Sequence, residues 1–345
     1  MSALTRLLGV EHPIVLGPFG GLSSLALTAV VSELGGLGSY GLYGYDGARI
    51  ADVAAQLRER TDRPVALNVW LPTGDEVSPA QAEIRSALAT MRPFFDELGI
   101  EPPVLPDRFL PAIDEQWAAI LDAAPAVVSV VYGVPAPAMV AAARERGIRI
   151  LGTATTVAEA RALEAGGVDA IVASGAEAAG HRVSFLAPAE DSLIGTFALV
   201  PQVVDAVSVP VIAAGGIADR RGVAAAFALG AAGVQVGTAF LRTKESAAPA
   251  SHRAAIAATA AEQTVLTRAM SGRLARGAPN RAVRTLEAGV IAPFPAQNWL
   301  TGRFRAEAAR RDDPELLSLW MGQAARLARH EDAASVFDEL SAGLP

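Results

Sequence analysis

VPVIAAGGIAD (209–219) and GVQVGTAF (233–240) are the stretches that decide the fold. Each is a short apolar run closing on glycine, Gly215-Gly216 in the first and Gly237-Thr238 in the second, with a helix start at Asp219 after the first. Near-continuous β-branched runs without alternation are what strands buried on both faces of a parallel sheet look like. Similar runs stand upstream at 14–16, 37–40, 65–69, 127–131, 148–151 and 170–173, which with 211–214 and 234–236 give eight strands. Alanine-rich helical patterns fall between them at 24–34, 47–60, 78–98, 137–146, 156–165, 196–207 and 220–229. Thr155-Thr156 followed by Glu159 is a capping-box pattern, and Pro79 after Ser78 suits a first helical turn. From the fourth strand on, most strand starts are spaced by roughly twenty residues, one βα unit, but the step from the sixth to the seventh is about twice that. Eight such units predict an α/β fold of the TIM (β/α)8 type rather than a doubly wound sheet. The expected organisation is a barrel over 1–240 with an insertion at 174–195 on the carboxyl face. A smaller helical substrate or lid region over 241–300 follows, and C-terminal helices over 301–345 pack back on the barrel.

Composition narrows the function classes. The chain has 345 residues, 51% of them hydrophobic and 19% charged, enough to bury a large core. Its net charge of −7 and low aromatic content argue against nucleic acid or an anionic membrane as partner. The absence of cysteine removes disulfides, thiolate nucleophiles, iron–sulfur clusters and cysteine zinc sites, and fits a reducing cytoplasm. Two uncharged stretches, 13–32 and 123–143, are interrupted by glycine and proline and read as strand, loop and helix start rather than as membrane spans. Arg6 followed by Glu11 lacks the pattern of a signal peptide. The expectation is a soluble cytoplasmic protein, with a homodimer left open.

Glycines at the ends of two adjacent strands let backbone N–H groups approach an anion, and the loops after strands seven and eight are the usual phosphate-binding pair of a barrel. That signal predicts a phosphorylated ligand without separating a flavin mononucleotide from a sugar phosphate. Of the four histidines, His12 and His330 read as structural or solvated, and His252 has no partner pattern. His181, in SGAEAAGHR within the insertion, sits among small residues at the functional face. An ordinary imidazole pKa near 6.5 would suit it to general-base work. No second histidine or carboxylate stands at metal-ligand spacing, so no metal is expected. Asn68 in LNVWLP (67–72) ends the third strand, where its amide either serves a ring ligand or caps a turn. GPFGG (17–21), with Pro18 and Phe19, ends the first strand and allows close backbone contact with a planar ring.

Taken together these segments resemble the flavin-dependent nitronate monooxygenase family. The likeness runs through PIVLGPFGGLSS, LNVWLP, VVSVVYGVP, GTATTVAEARALEAGGVDAIVASGAEAAGH, VPVIAAGGIAD, VQVGTAFLRTKES, TRAMSGRLARG, PAQNWLTGRF and LWMGQAARLAR. It implies an FMN-binding barrel that oxidises alkyl nitronates, or neutral nitroalkanes, with O2 to a carbonyl compound and nitrite. It places cofactor contacts at Pro18, Phe19, Asn68, Ser174, Ala179, Gly180, Gly215, Gly216, Gln235, Val236, Gly237 and Thr238, and the catalytic base at His181. His181 would take the α-proton of a nitroalkane or, as imidazolium, hold the nitronate.

The chain departs from the family pattern at Gly17-Pro18-Phe19, where Ala-Pro-Met is usual, at Ser174 (often glutamine), at Ala179 (often glycine) and at Tyr132 (often phenylalanine). The Tyr132 hydroxyl reaches a substrate nitro group or faces water. Arg182 reads as solvent-facing. Arg273, in SGR (271–273), and Arg276 either attract the anion or form a solvated basic helix end. The alternatives are a flavin-type enoyl-acyl-carrier-protein reductase, a noncatalytic flavin-binding barrel, and a sugar-phosphate isomerase or aldolase, the last lacking the expected strand-end lysine.

Overall fold

A computed structural model describes residues 2–74, 76 and 81–345. Eight parallel strands carry the architecture: β1 (Ile14–Leu16), β2 (Gly38–Gly41), β3 (Val65–Trp70), β4 (Val127–Val131), β5 (Arg149–Ala154), β6 (Ala170–Ser174), β7 (Val211–Ala214) and β8 (Gly233–Val236). They pair in chain order from β2 through to β8, and β8 pairs with β1. A bridge between Val15 and Leu37, with Leu37 donating to Ile14 O and Leu16 donating to Leu37 O at 2.9 Å each, joins β1 to β2 and closes the barrel. The expected α/β barrel is what the chain forms, with every strand within three residues of its predicted bounds.

Burial explains the strands. Val15, Leu37, Ala66, Val127, Leu151, Ala170, Val172, Ile212 and Ala214 form one buried cluster with Leu4, Leu8 and Val10. The last three come from the helix Ala3–Leu8 and the turn after it, so this helix seals one end of the barrel interior. A Cβ at Gly233 would stand 2.5 Å from Leu4 Cδ2, so the packing there requires glycine. Helices start where side-chain oxygens accept backbone N–H groups at Ser24, Asp46, Thr156 and Asp219. The Thr156 cap departs from the expected box in one respect. Glu159 does not return to Thr156 N–H but accepts from Thr155 N and Oγ1, at 2.7 and 2.6 Å.

The helix Ile113–Ala123, which the sequence reading lacks, lies between β3 and β4. The helix expected over 78–98 is present as Gln81–Leu98, and the proposed start at Ser78 and Pro79 falls outside the described residues. Beyond β8 the chain forms the helices Thr238–Leu241, Ala250–Ala258 and Arg281–Glu287, and adds two strands, Val265–Thr267 and Ala275–Gly277. The second of these pairs antiparallel with Gly180–His181 of the insertion, making a three-stranded sheet. The helix Ala296–Arg311 packs on Gln81–Leu98 through Phe304, which lies 5.2 Å from Phe94, ring to ring. The helix Ala333–Ser341 packs on Leu25–Glu33 and Arg220–Ala228. No helix among the described residues is long and apolar enough to cross a membrane.

Candidate functional site

Register puts the polar strand ends in one layer. Asn68 stands opposite Ser129, and Ser174, Ala214 and Gln235 lie side by side across β6, β7 and β8. Above this layer a cavity of about 350 Å3 opens. Pro18, Phe19, Asn68, Ser174, Ala179, Gly180, His181, Gly215, Gly216, Gln235, Gly237 and Thr238 all line it. Val236 does not: its side chain is fully buried in the core, and only its carbonyl takes part nearby, accepting from Gly17 N at 2.8 Å.

Gly215 and Gly216 have φ of +100° and +74°, a region that side chains with a Cβ rarely adopt. A Cβ on Gly215 would also meet Thr196 Oγ1 at 3.0 Å and Gly175 O at 3.1 Å. The N–H groups of Gly216, Gly237 and Thr238 have no hydrogen-bond partner among the described residues, so this corner offers free donors to an anion.

At Asn68 the amide orientation is fixed by its neighbour. Nδ2 donates to the Ser129 carbonyl and hydroxyl at 3.2 and 3.0 Å, and a carbonyl can only accept. The donor half of the amide is therefore used by the protein, and Oδ1 is left to accept a ring N–H.

The insertion is held by buried charge. Arg182 donates to the carbonyls of Ser174, Gly175, Ser192 and Thr155 at 2.6 to 3.5 Å. It is buried rather than solvent-facing, and burial pulls its pKa down to about 10. Glu159 accepts from Ser184 Oγ and from the Phe185 and Leu186 amides, and Glu177 caps Thr196 through its N–H and hydroxyl. The expectation for Arg182 fails because the guanidinium turns inward, where four backbone carbonyls satisfy its donors.

These anchors present His181 to the cavity. Its Nε2 lies 2.7 Å from Ser271 Oγ, and Nδ1 makes no hydrogen bond among the described residues. Trp70 stands edge-on at 4.9 Å and Trp320 at 5.6 Å. Burial, followed by the Arg273 and Arg305 charges, pushes the imidazole down to about 3. The ring is therefore neutral across the physiological range. The expectation of an ordinary pKa near 6.5, and of an imidazolium holding the anion, gives way to this enclosure.

Neither basic residue of the 271–276 stretch is a solvated helix end. Arg273 pairs with Glu76 at 2.8 Å and lies over the Phe294 and Tyr132 rings at 3.9 and 4.3 Å. Arg276, on the strand Ala275–Gly277, donates to Ala176 O and Thr264 Oγ1 and stays out of the cavity wall. Tyr132 is buried at φ +69°, packed on Trp70 at 5.0 Å, so its hydroxyl neither faces water nor lines the cavity. His252 is buried, its Nε2 donating to Trp320 O at 2.9 Å. Residues that the sequence reading did not single out, Tyr43, Trp70, Phe294, Asn298, Arg305 and Trp320, close the far wall. PAQNWLTGRF (295–304) contains one of them, Asn298, but no local pattern tells which polar side chains of a helix face a cavity.

Relatives share this architecture. A family profile described as nitronate monooxygenase matches residues 1–343. A probable nitronate monooxygenase of Staphylococcus aureus is 39% identical over 346 aligned residues, covering 98% of this chain and 96% of the relative. Among solved structures, a nitroalkane oxidase from Streptomyces ansochromogenes superposes with a TM-score of 0.90 at 37% identity, covering 99% and 98% of the two chains. FabK from Thermotoga maritima superposes at 0.78 with 28% identity, covering 99% and 95%. A match over nearly the whole length, on a barrel whose cavity gathers the glycine turns and one histidine, means that the chain belongs to the nitronate monooxygenase family.

Proposed function

We propose that the protein is an FMN-dependent nitronate monooxygenase, converting alkyl nitronates and O2 to a carbonyl compound and nitrite in the cytoplasm. The observation that carries this reading is the meeting of His181 with the unpartnered amides of Gly216, Gly237 and Thr238 in one cavity. The residues present fit FMN: the three amides and the Gly215-Gly216 turn suit its phosphate, and Asn68 Oδ1, left free by Ser129, suits a ring N–H. Pro18, Phe19, Ser174, Ala179, Gly180 and Gln235 form the rest of the cofactor wall. Bound FMN supplies the electron-accepting and oxygen chemistry; the protein orients, excludes water and handles protons.

The low pKa of His181 bears on the substrate. A neutral imidazole has a lone pair to offer, but a group so reluctant to hold a proton is a weak base towards carbon acids. Nitronates that arrive already ionised are thus the preferred substrates, and neutral nitroalkanes the slower ones. In this reading residues 1–240 carry the cofactor, 241–300 form the substrate region, and 301–345 pack back on the barrel.

The test is direct. Purified protein should show oxidised-flavin absorption, release FMN on denaturation, and form nitrite with O2 uptake when given an alkyl nitronate. Rapid NADH oxidation driven by an enoyl thioester, with no nitrite from nitronates, would instead favour a flavin-type enoyl-acyl-carrier-protein reductase.

A further inference from the structure

Arg305 sits on the helix Ala296–Arg311, enclosed by protein except where it lines the cavity. Its Nη1 donates to Ser318 Oγ at 3.0 Å, and its Nη2 donates to the carbonyl and Oδ1 of Asn298 at 3.0 and 2.6 Å. Nε is buried without any hydrogen-bond acceptor. Among the described residues no carboxylate lies within 4.0 Å of it, in contrast to Arg273, which Glu76 neutralises. An enclosed guanidinium lacking a counter-ion is unfavourable for the fold unless an anion completes it.

The neighbours extend the same donor function. Arginine can only donate, so Asn298 must turn Oδ1 towards it, and Nδ2 then donates to Tyr43 Oη at 3.0 Å. With its oxygen accepting from Asn298, the Tyr43 hydroxyl keeps its own proton to give, and the charge at the head of the chain strengthens each donor in turn. Tyr43 also lines the cavity, and its ring lies 4.4 Å from Trp70, which itself stands 4.9 Å from His181.

We propose that Arg305, Asn298 and Tyr43 form the anion-selecting subsite of the cavity, receiving the charged oxygens of the substrate's C=NO2 group beside Trp70. The proposal rests on the nitronate reading for its substrate, and the Arg305 geometry for its charge preference. It makes Arg305 the specificity determinant between nitronates and their neutral parents.

Nitrate, a planar oxyanion with no turnover, is the probe. Its Kd is read from perturbation of the bound-flavin spectrum in the wild type, Arg305→Gln, Arg305→Lys and Tyr43→Phe, with Tm and flavin content recorded. Arg305→Gln should raise the nitrate Kd and the nitronate KM by about tenfold or more while KM for a neutral nitroalkane moves less than about threefold, as for loss of a charge-assisted hydrogen bond. Arg305→Lys should restore most of the nitrate affinity. Unchanged nitrate binding in Arg305→Gln, or equal loss for charged and neutral substrates, would overturn the proposal. If Arg305→Gln does not fold, Tyr43→Phe decides: an unchanged nitrate Kd there overturns it, a weaker one supports it. A wild type that binds nitrate through Arg305 yet yields no nitrite from nitronates would break the functional reading and leave the anion subsite standing.

Discussion

Where β7 and β8 end, the cavity wall is backbone: Gly215, Gly216, Gly237 and Thr238, all within two neighbouring strand-ends, present amides whose positions follow from the barrel itself. At the opposite end the wall is side chain: Tyr43, Trp70, His181, Phe294, Asn298 and Arg305 arrive from segments up to two hundred and sixty residues apart, given the Asn298–Tyr43 hydrogen bond spans 255. The first end needs only short loops and glycine. The second depends on buried charge, on Arg182 and Glu159 tying the insertion down and on Arg273 and Arg305 staying in place with different partners. Under the proposed function, cofactor binding and substrate choice rest on different physics and should fail separately.

The sharpest break is at the glycine end. Gly215→Val, at φ +100° and against Thr196 Oγ1, should give folded protein without bound flavin, measured as flavin absorbance per chain. Substitution at the other end should do the reverse. His181→Asn should keep the flavin while turnover of a neutral nitroalkane falls by roughly 100-fold or more, and that of the preformed nitronate falls less. Loss of flavin in that variant would erase the distinction between the two ends.

Anchoring of the insertion comes next in size. Arg182→Met leaves four buried carbonyls without their donor and should lower unfolding stability by about 3 kcal/mol in urea melts, with the His181-dependent activity lost before the flavin. An effect of comparable size, confined to acid pH, follows from His252, which burial pushes down to about 4, against the opposing pull of the Trp320 carbonyl. The folded state refuses a proton that the unfolded chain accepts below pH 6.5, so stability is full above that pH and falls as the pH drops towards 4, by up to about 3 kcal/mol. Denaturant melts at pH 7 and 4.5 should show this slope, and His252→Gln should lessen it, leaving the part that His181 contributes in the same window. At the smallest end of the scale, Glu190→Gln removes the exposed Arg268–Glu190 pair and should change stability by less than about 0.5 kcal/mol.

Much of this was written locally. Eight apolar runs ending in small residues specify a parallel barrel because a strand covered on both faces must be apolar throughout, and glycine pairs mark loops that come close to a ligand. His181 could be read because its insertion lengthens one βα step. Arg182, by contrast, was read as exposed, since a charge beside a histidine gives no sign that four carbonyls will surround it. The pKa of His181 was equally hidden: it depends on enclosure and on Arg273 and Arg305, which lie about ninety and one hundred and twenty residues away, as the Ser271 contact at a separation of 90 indicates.

The amino-acid order by itself determined the barrel, the loops that carry the glycines, and the histidine at the carboxyl face, because each is a matter of periodicity and of which residues tolerate a turn. Only the tertiary structure decided which charges find a counter-ion: Arg273 pairs with Glu76, while among the described residues Arg182 and Arg305 meet dipoles alone, a set of four carbonyls for Arg182 and a set that leaves Nε bare for Arg305. Charge interactions depend on distance and dielectric in three dimensions, and neither is encoded in the spacing along a chain.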